Sequence, residues 1–270
     1  MVTFGSNEGE SMDLGLKGRR AIVCASSRGL GRACAMSLAR EGCVVIVNGV
    51  DPERVQATAR EIAHKTGAEV TPVAADISTR EGRQKLLEAC PAPDILVNNN
   101  AGPQLGNLGE WDEALWRATI EANMLAPIFL IKAALPGMRQ RKFGRIVNIT
   151  SALVKSPRSP FGLSAAARAG LTALSKAVSR QAAADNITLN NLLPEGFATD
   201  RQHAIAQRRM QVENITYEEA RNRIAAELAT RRLGRPEEFG DACAYLCSAQ
   251  AGYISGQNLL VDGGTYEGLF

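Results

Sequence analysis

The stretch Arg20–Gly42, RAIVCASSRGLGRACAMSLAREG, passes from a short apolar run through a turn carrying Gly29 and Gly31 into a segment of helical composition. Glycine in such a turn lets the backbone approach a pyrophosphate closely, and the unpaired N–H groups at the mouth of the following helix favour its negative charge. Two glycines after a strand also serve ordinary turn chemistry, so the surrounding chain decides between the readings.

Outward from this turn the pattern repeats. RAIVCAS, CVVIVNG, EVTPVAAD, DILVNNN, GRIVNITS, ITLNNLLP and QNLLVDGG are short and rich in β-branched residues, and stretches of helical period separate them. Strands this apolar are buried on both faces, which calls for a parallel sheet covered by helices on each side. The expectation is an α/β fold: a Rossmann-type, doubly wound, seven-stranded parallel sheet, forming a single domain over residues 12–270. Residues 1–11 are polar, and Met12 begins MDLGLKGRR just ahead of the first strand, so the leading segment reads as a flexible extension or a cloning scar. The charged, helix-favouring segment 198–232 leaves from the carboxyl ends of the strands, where ligands bind in parallel sheets. It is a candidate substrate lid, against the alternative of solvated surface helices.

The 31 basic and 28 acidic residues are interspersed and leave a net charge of +3, so no field of one sign points to nucleic acid. No apolar run approaches a membrane span, and the polar N-terminus lacks a signal peptide's basic start and apolar middle, which makes the cytoplasm the expected compartment. Six cysteines stand mostly alone in apolar segments and read as small core residues. Cys243 and Cys247 have i, i+4 spacing, but no His or second cysteine pair accompanies them, so no metal site is expected.

From about Leu16 to Gly264 the sequence resembles the short-chain dehydrogenase/reductase family, and within it the 3-oxoacyl-acyl-carrier-protein reductase branch. The family's Thr-Gly-x-x-x-Gly-x-Gly turn is present as Cys24 to Gly31, with Ala25 at a glycine position, where a positive φ would penalise the methyl. DILVNNNAGP resembles the family's Asn-Asn-Ala-Gly strand end. The paired asparagines are Asn98 and Asn99 in one register, or Asn99 and Asn100 in another that restores Ala101-Gly102. GRPEEFGDACAYLCS and YISGQNLLVDGG match the family closely. The resemblance implies that a nicotinamide dinucleotide lies against Ser26, Ser27, Arg28, Gly29, Leu30, Gly31, Asp76, Ile77, Asn99, Ala101, Arg168 and Pro194, with Asp76 beside the adenine. The second strand ends VNGVDPER, with Val50 where an arginine is usual and Asp51 beside it; Arg28 directs the reading to NADP, with NAD as the alternative.

In the family an Asn, a Ser, a Tyr and a Lys carry out hydride transfer to a carbonyl. The first two carry over as Asn123 and Ser151, whereas the Tyr and Lys positions hold Ser164 and Arg168. At i, i+4 on a helix these two share a face. Arg168 keeps a cation and several donors, but an aliphatic hydroxyl is far less acidic than a phenol of pKa about 10. Substitute acids are Lys155, His203 and Glu195. The resemblance thus implies an NADP(H)-linked oxidoreductase acting on a small carbonyl or alcohol substrate, with a branch that carries Ser-x-x-x-Arg for Tyr-x-x-x-Lys. A non-catalytic nucleotide-binding or scaffold protein is the alternative. It also implies a homotetramer built on the helix around Leu163 to Ala184 and the C-terminal tail.

Overall fold

The computed structural model describes residues 13–269; the extension expected over residues 1–11 lies outside them. All seven expected strands form: β1 (Arg20–Val23), β2 (Val44–Gly49), β3 (Val70–Ala74), β4 (Ile95–Asn98), β5 (Gly144–Ile149), β6 (Ile187–Pro194) and β7 (Asn258–Val261). They make one parallel sheet in the order β3-β2-β1-β4-β5-β6-β7. Strand order reverses between β1 and β4, and the crevice beyond their carboxyl ends is the place such a sheet offers a ligand.

Helices α1 (Gly29–Arg40), α2 (Pro52–Thr66) and α9 (Pro236–Cys247) pack on one face of the sheet, with α3 (Arg80–Ala89), α5 (Ala126–Arg141) and α6 (Gly162–Ala182) on the other. Local chemistry sets their ends. Asp51 caps α2 by accepting the Arg54 amide, Pro52 occupies its first turn, and Gly67 closes it at φ +71°. α1 and α9 approach closely, because a Cβ on Gly240 would stand 2.5 Å from the Ala33 carbonyl oxygen. Cys34, Cys243 and Cys247 are buried in this layer; the Cys247 thiol is raised well above the ordinary value by Cys243 and by burial, and that of Cys243, against the lowering effect of Cys247, by Cys34 and by burial.

α4 (Glu113–Ile120) continues through a π turn, Glu121–Leu125, into α5. Together they run 29 residues with a mean hydropathy of 1.4 in the most apolar window, long and apolar enough by composition to span a bilayer. Lys132 interrupts the apolar stretch, and Leu130, Ile131, Ala134 and Met138 of α5 face the sheet core.

A line of asparagines crosses the carboxyl half of the sheet in register. Asn98 Nδ2 donates to Asn148 Oδ1 at 2.8 Å, Asn148 Nδ2 to Asn191 Oδ1 at 2.9 Å, and Asn191 Nδ2 to Asn258 Oδ1 at 2.8 Å. Such a buried polar chain fixes one strand register, since a slip would leave its members unpaired. It sets the heights at which the strands end under the crevice. Above that edge, α7 (Asp200–Glu213) and α8 (Tyr217–Glu227) pair around Ala206, Ala220 and Ile224, forming a small cluster outside the two main cores.

Candidate active site

A cavity of about 1050 Å³ opens beyond the carboxyl ends of the central strands. At one end stands the β1–α1 turn. Ala25 takes φ +43°, the left-handed conformation that the sequence flags as costly for a residue with a Cβ. Neighbours hold it there: its amide donates to Asn48 Oδ1 at 3.1 Å, and its carbonyl accepts from Asn99 Nδ2 at 3.1 Å. Ser26 is buried and donates to the Val23 carbonyl at 2.6 Å while accepting the Asn48 amide at 3.0 Å, so it ties β1 to β2 and does not line the cavity. Gly31 also lies beneath the turn. Ala25→Gly should raise stability by up to about 1 kcal/mol, because relief of the left-handed strain is partly offset by the extra freedom of glycine in the unfolded chain. Urea unfolding reads this directly.

Ser27, Arg28, Gly29 and Leu30 line the cavity. Gly29, the first residue of α1, adopts φ +57°, and its N-cap Arg28 supplies no side-chain cap, so the first amides of the helix are open toward the cleft. A backbone cradle with uncapped amides fits a diphosphate. Asp76 and Ile77 lie along the same wall, with Asp76 Oδ1 accepting the Ser78 amide at 2.9 Å. Val50 is 72% exposed at the rim, and Asp51 is engaged as the α2 cap and paired with Arg54 at 3.5 Å. That carboxylate is turned to the start of α2 and is not among the cavity-lining residues. Arg28 is exposed there, 3.1 Å from Asp200 at the start of α7.

Of the two registers for the asparagine strand end, the geometry separates the roles of three residues. Asn98 ends β4 within the asparagine line, Asn99 holds the Ala25 carbonyl, and Asn100 donates to the Ala122 carbonyl at 3.2 Å. Ala101 and Gly102 follow at the cavity wall, with Pro194 opposite at the end of β6.

The other end of the cavity gathers Ser151, Ser164 and Arg168. Ser151 follows β5, and its Oγ accepts the Leu153 amide at 3.2 Å. On α6, Ser164 and Arg168 share a face as the spacing requires: Arg168 Nε donates to Ser164 Oγ at 3.2 Å, and Nη1 donates to the Ile149 carbonyl at 2.6 Å. Arg168 is 7% exposed and has no carboxylate partner among the described residues. Burial above all, with the neighbouring charge of Arg201, pushes its pKa down to about 10. Each serine oxygen already accepts one hydrogen bond, so each hydroxyl hydrogen is available to an acceptor in the cavity.

The remaining expected residues fall elsewhere. Asn123 is buried in the π turn and lines no part of the cavity, and its Oδ1 has no partner among the described residues. Lys155 sits over the Tyr266 ring at 5.4 Å, and His203 Nδ1 meets the Tyr217 hydroxyl at 2.5 Å on an exposed face. Of the three substitute acids only Glu195 borders the cavity, and Arg158 is hydrogen-bonded to it. Sequence reading passed over Asn48 and Arg201. Asn48 closes the second strand in VNG and grips the turn, but nothing local marks that contact; Arg201 lies inside the lid segment among six other arginines.

Comparison with known proteins bears on the whole arrangement. Residues 24–266 match the family model described as enoyl-(acyl carrier protein) reductase. The NADPH-dependent reductase BacG of Bacillus subtilis is 32% identical over 256 residues, covering 93% of this chain and 99% of that protein. The 3-oxoacyl-[acyl-carrier-protein] reductase FabG of Aquifex aeolicus is 30% identical over 260 residues, 94% of this chain and 100% of that one. The L-sorbose reductase of Gluconobacter frateurii, solved with NADPH and L-sorbose, superposes with a TM-score of 0.90 at 28% identity, covering 96% of this chain and 100% of the other.

Proposed function

Because the chain belongs to the short-chain dehydrogenase/reductase family, we propose that its cleft binds NADPH and reduces a small carbonyl compound, with the carbonyl oxygen held by Ser151 and Ser164 and its developing charge met by Arg168. The observation that carries this reading is the pair of serine hydroxyls whose oxygens are already engaged from within, beside a buried guanidinium with no counter-ion among the described residues. When bound, the dinucleotide supplies a hydride. The open amides at the start of α1 would take its diphosphate, and Arg28 would take a 2′-phosphate in exchange for Asp200.

At the carbonyl, the two hydroxyls orient the oxygen and donate to it most strongly as it becomes an alkoxide. Arg168 lowers the energy of that alkoxide through Ser164, which it polarises. Without a phenol, final protonation falls to water entering the open end of the cleft. Asn123, off the cavity wall, acts by shaping the π turn. α7 and α8, over residues 198–232, form the lid, and the chain from residue 12 onward works as a single domain. A homo-oligomer through α6 and the C-terminal segment, in the cytoplasm, completes the reading; light scattering tests the former.

A panel of oxoacyl thioesters, ketones and sugars, assayed with NADPH and with NADH, tests the function. The expected outcome is turnover with NADPH preferred, and an Arg28→Gln variant whose preference for NADPH over NADH drops roughly 10-fold or more, as for loss of a charge-assisted contact. Tight NADPH binding with no turnover of any carbonyl would reject a reductase and leave a nucleotide-binding scaffold.

A further inference from the structure

Six arginines border the cavity: Arg28, Arg158, Arg168, Arg201, Arg208 and Arg209. Four are answered by carboxylates. Arg28 pairs with Asp200, Arg158 with Glu195, Arg208 with Glu110 at 3.8 Å, and Arg209 with Glu213 and Glu227 at 2.6 Å each. Arg168 and Arg201 have no such partner among the described residues. Arg201 leans from the first turn of α7 across the cleft, its guanidinium carbon 3.5 Å from where a Cβ on Gly102 would stand. Among the described residues, neither a side-chain hydrogen bond nor an ion pair holds it there.

Two cations facing one cavity repel, and burial pushes the pKa of each down. Arg168 is buried and Arg201 half-buried; desolvating an uncompensated charge is costly, and part of that cost is recovered when an anion enters. The α1 amides serve the cofactor's diphosphate; Arg201, one residue past the partner of Arg28, reaches from there toward Gly102 and lies close enough to Arg168 for the two charges to interact, and Arg168 is itself bonded to Ser164 and the Ile149 carbonyl. The unanswered charge of Arg201 therefore lies between the cofactor turn and the Ser164–Arg168 pair.

We propose that the substrate is an oxo acid, whose carbonyl meets Ser151 and Ser164 and whose carboxylate pairs with Arg201; this rests on the carbonyl-reductase reading above. In the reaction the carbonyl carbon gains the hydride, the C=O pair moves to oxygen, and that oxygen takes a proton from water. The product is a hydroxy acid, with NADPH oxidised to NADP⁺. The carboxylate is untouched throughout. Arg201 is thus a specificity residue that selects the anion by a planar, bidentate contact.

The test compares α-, β- and γ-oxo acids with their own methyl esters, pairs that differ chiefly in charge. Wild-type enzyme should favour the best acid over its ester in kcat/KM by roughly 10- to 100-fold. Arg201→Gln should collapse that ratio, and Arg201→Lys should restore part of it. Calorimetry with the corresponding hydroxy acid and hydroxy ester on the NADP⁺-saturated protein gives a readout independent of turnover. If no carbonyl is reduced but the hydroxy acid binds wild type and not Arg201→Gln, the anion subsite stands and the reductase reading fails. If Arg201→Gln weakens NADPH itself while the acid-to-ester ratio persists, Arg201 serves the diphosphate and the proposal is overturned. Equal handling of acids and esters by the wild type, in turnover and in binding, overturns it as well.

Discussion

Arg168→Met should lower kcat/KM by about 10²- to 10³-fold, the scale of losing one electrostatic stabiliser of the alkoxide, here acting through Ser164, with little loss of stability. The two halves of this expectation have one cause. Arg168 is buried with no counter-ion among the described residues, so folding desolvates its charge without an ion-pair return. Methionine fills similar space and removes that cost, offsetting the hydrogen bond lost at the Ile149 carbonyl. A purely structural arginine would show the reverse pattern, with falling stability and spared turnover. The pH dependence follows from the pKa of about 10. Below that value the charge is present in both folded and unfolded chains, and the burial cost stands in full. As pH rises past about 10 the folded chain gives up this proton before the unfolded chain does, so the contribution of Arg168 to stability improves while its support of the alkoxide disappears. Activity should therefore fall through about pH 10 in the wild type, and Arg168→Met should lack that limb.

Gly31→Ala should break the cofactor end of the cleft. A Cβ at residue 31 would stand 2.4 Å from the Ala25 carbonyl oxygen and 2.8 Å from Asn99 Nδ2, the two atoms whose hydrogen bond steadies the turn. Backbone on one side leaves nowhere for the methyl to go, so α1 must move away from β4. Overpacking of this kind costs about 1–3 kcal/mol, and displaced amides should weaken NADPH binding by roughly 10- to 100-fold. Chemical unfolding and fluorescence titration of NADPH measure the two effects separately. A Gly31→Ala variant that binds NADPH as well as the wild type would show that the first turn of α1 does not hold the nucleotide.

The fold was legible because each of its decisions is local or periodic. Seven apolar runs with helices between them require a covered parallel sheet, and the Ser164–Arg168 contact follows from helical spacing alone. What stayed hidden involves residues distant in sequence. Asn98, Asn148, Asn191 and Asn258 look like scattered polar residues until the strand register aligns them. Arg201 resembles its neighbours along the lid segment, and only the tertiary pairing of the other cavity arginines with carboxylates marks it as unanswered. The same holds for Ala25: its penalty depended on a backbone angle, which turns out to be left-handed. The role of Asp51, which the sequence places beside the end of β2 without assigning it, is likewise seen only in the structure, where it caps α2 by accepting the Arg54 amide.

Single-turnover kinetics on the wild-type protein and the Ser164→Tyr/Arg168→Lys double variant provide the most direct test of the serine–arginine site. Saturated with NADPH and mixed with the best carbonyl of the panel, the wild type should consume its bound reduced nicotinamide, and the double variant should be slower because a phenol displaces the Ser164 hydroxyl from its place beside Ser151. A wild type that holds NADPH unoxidised, with activity arising only in the double variant, would contradict it.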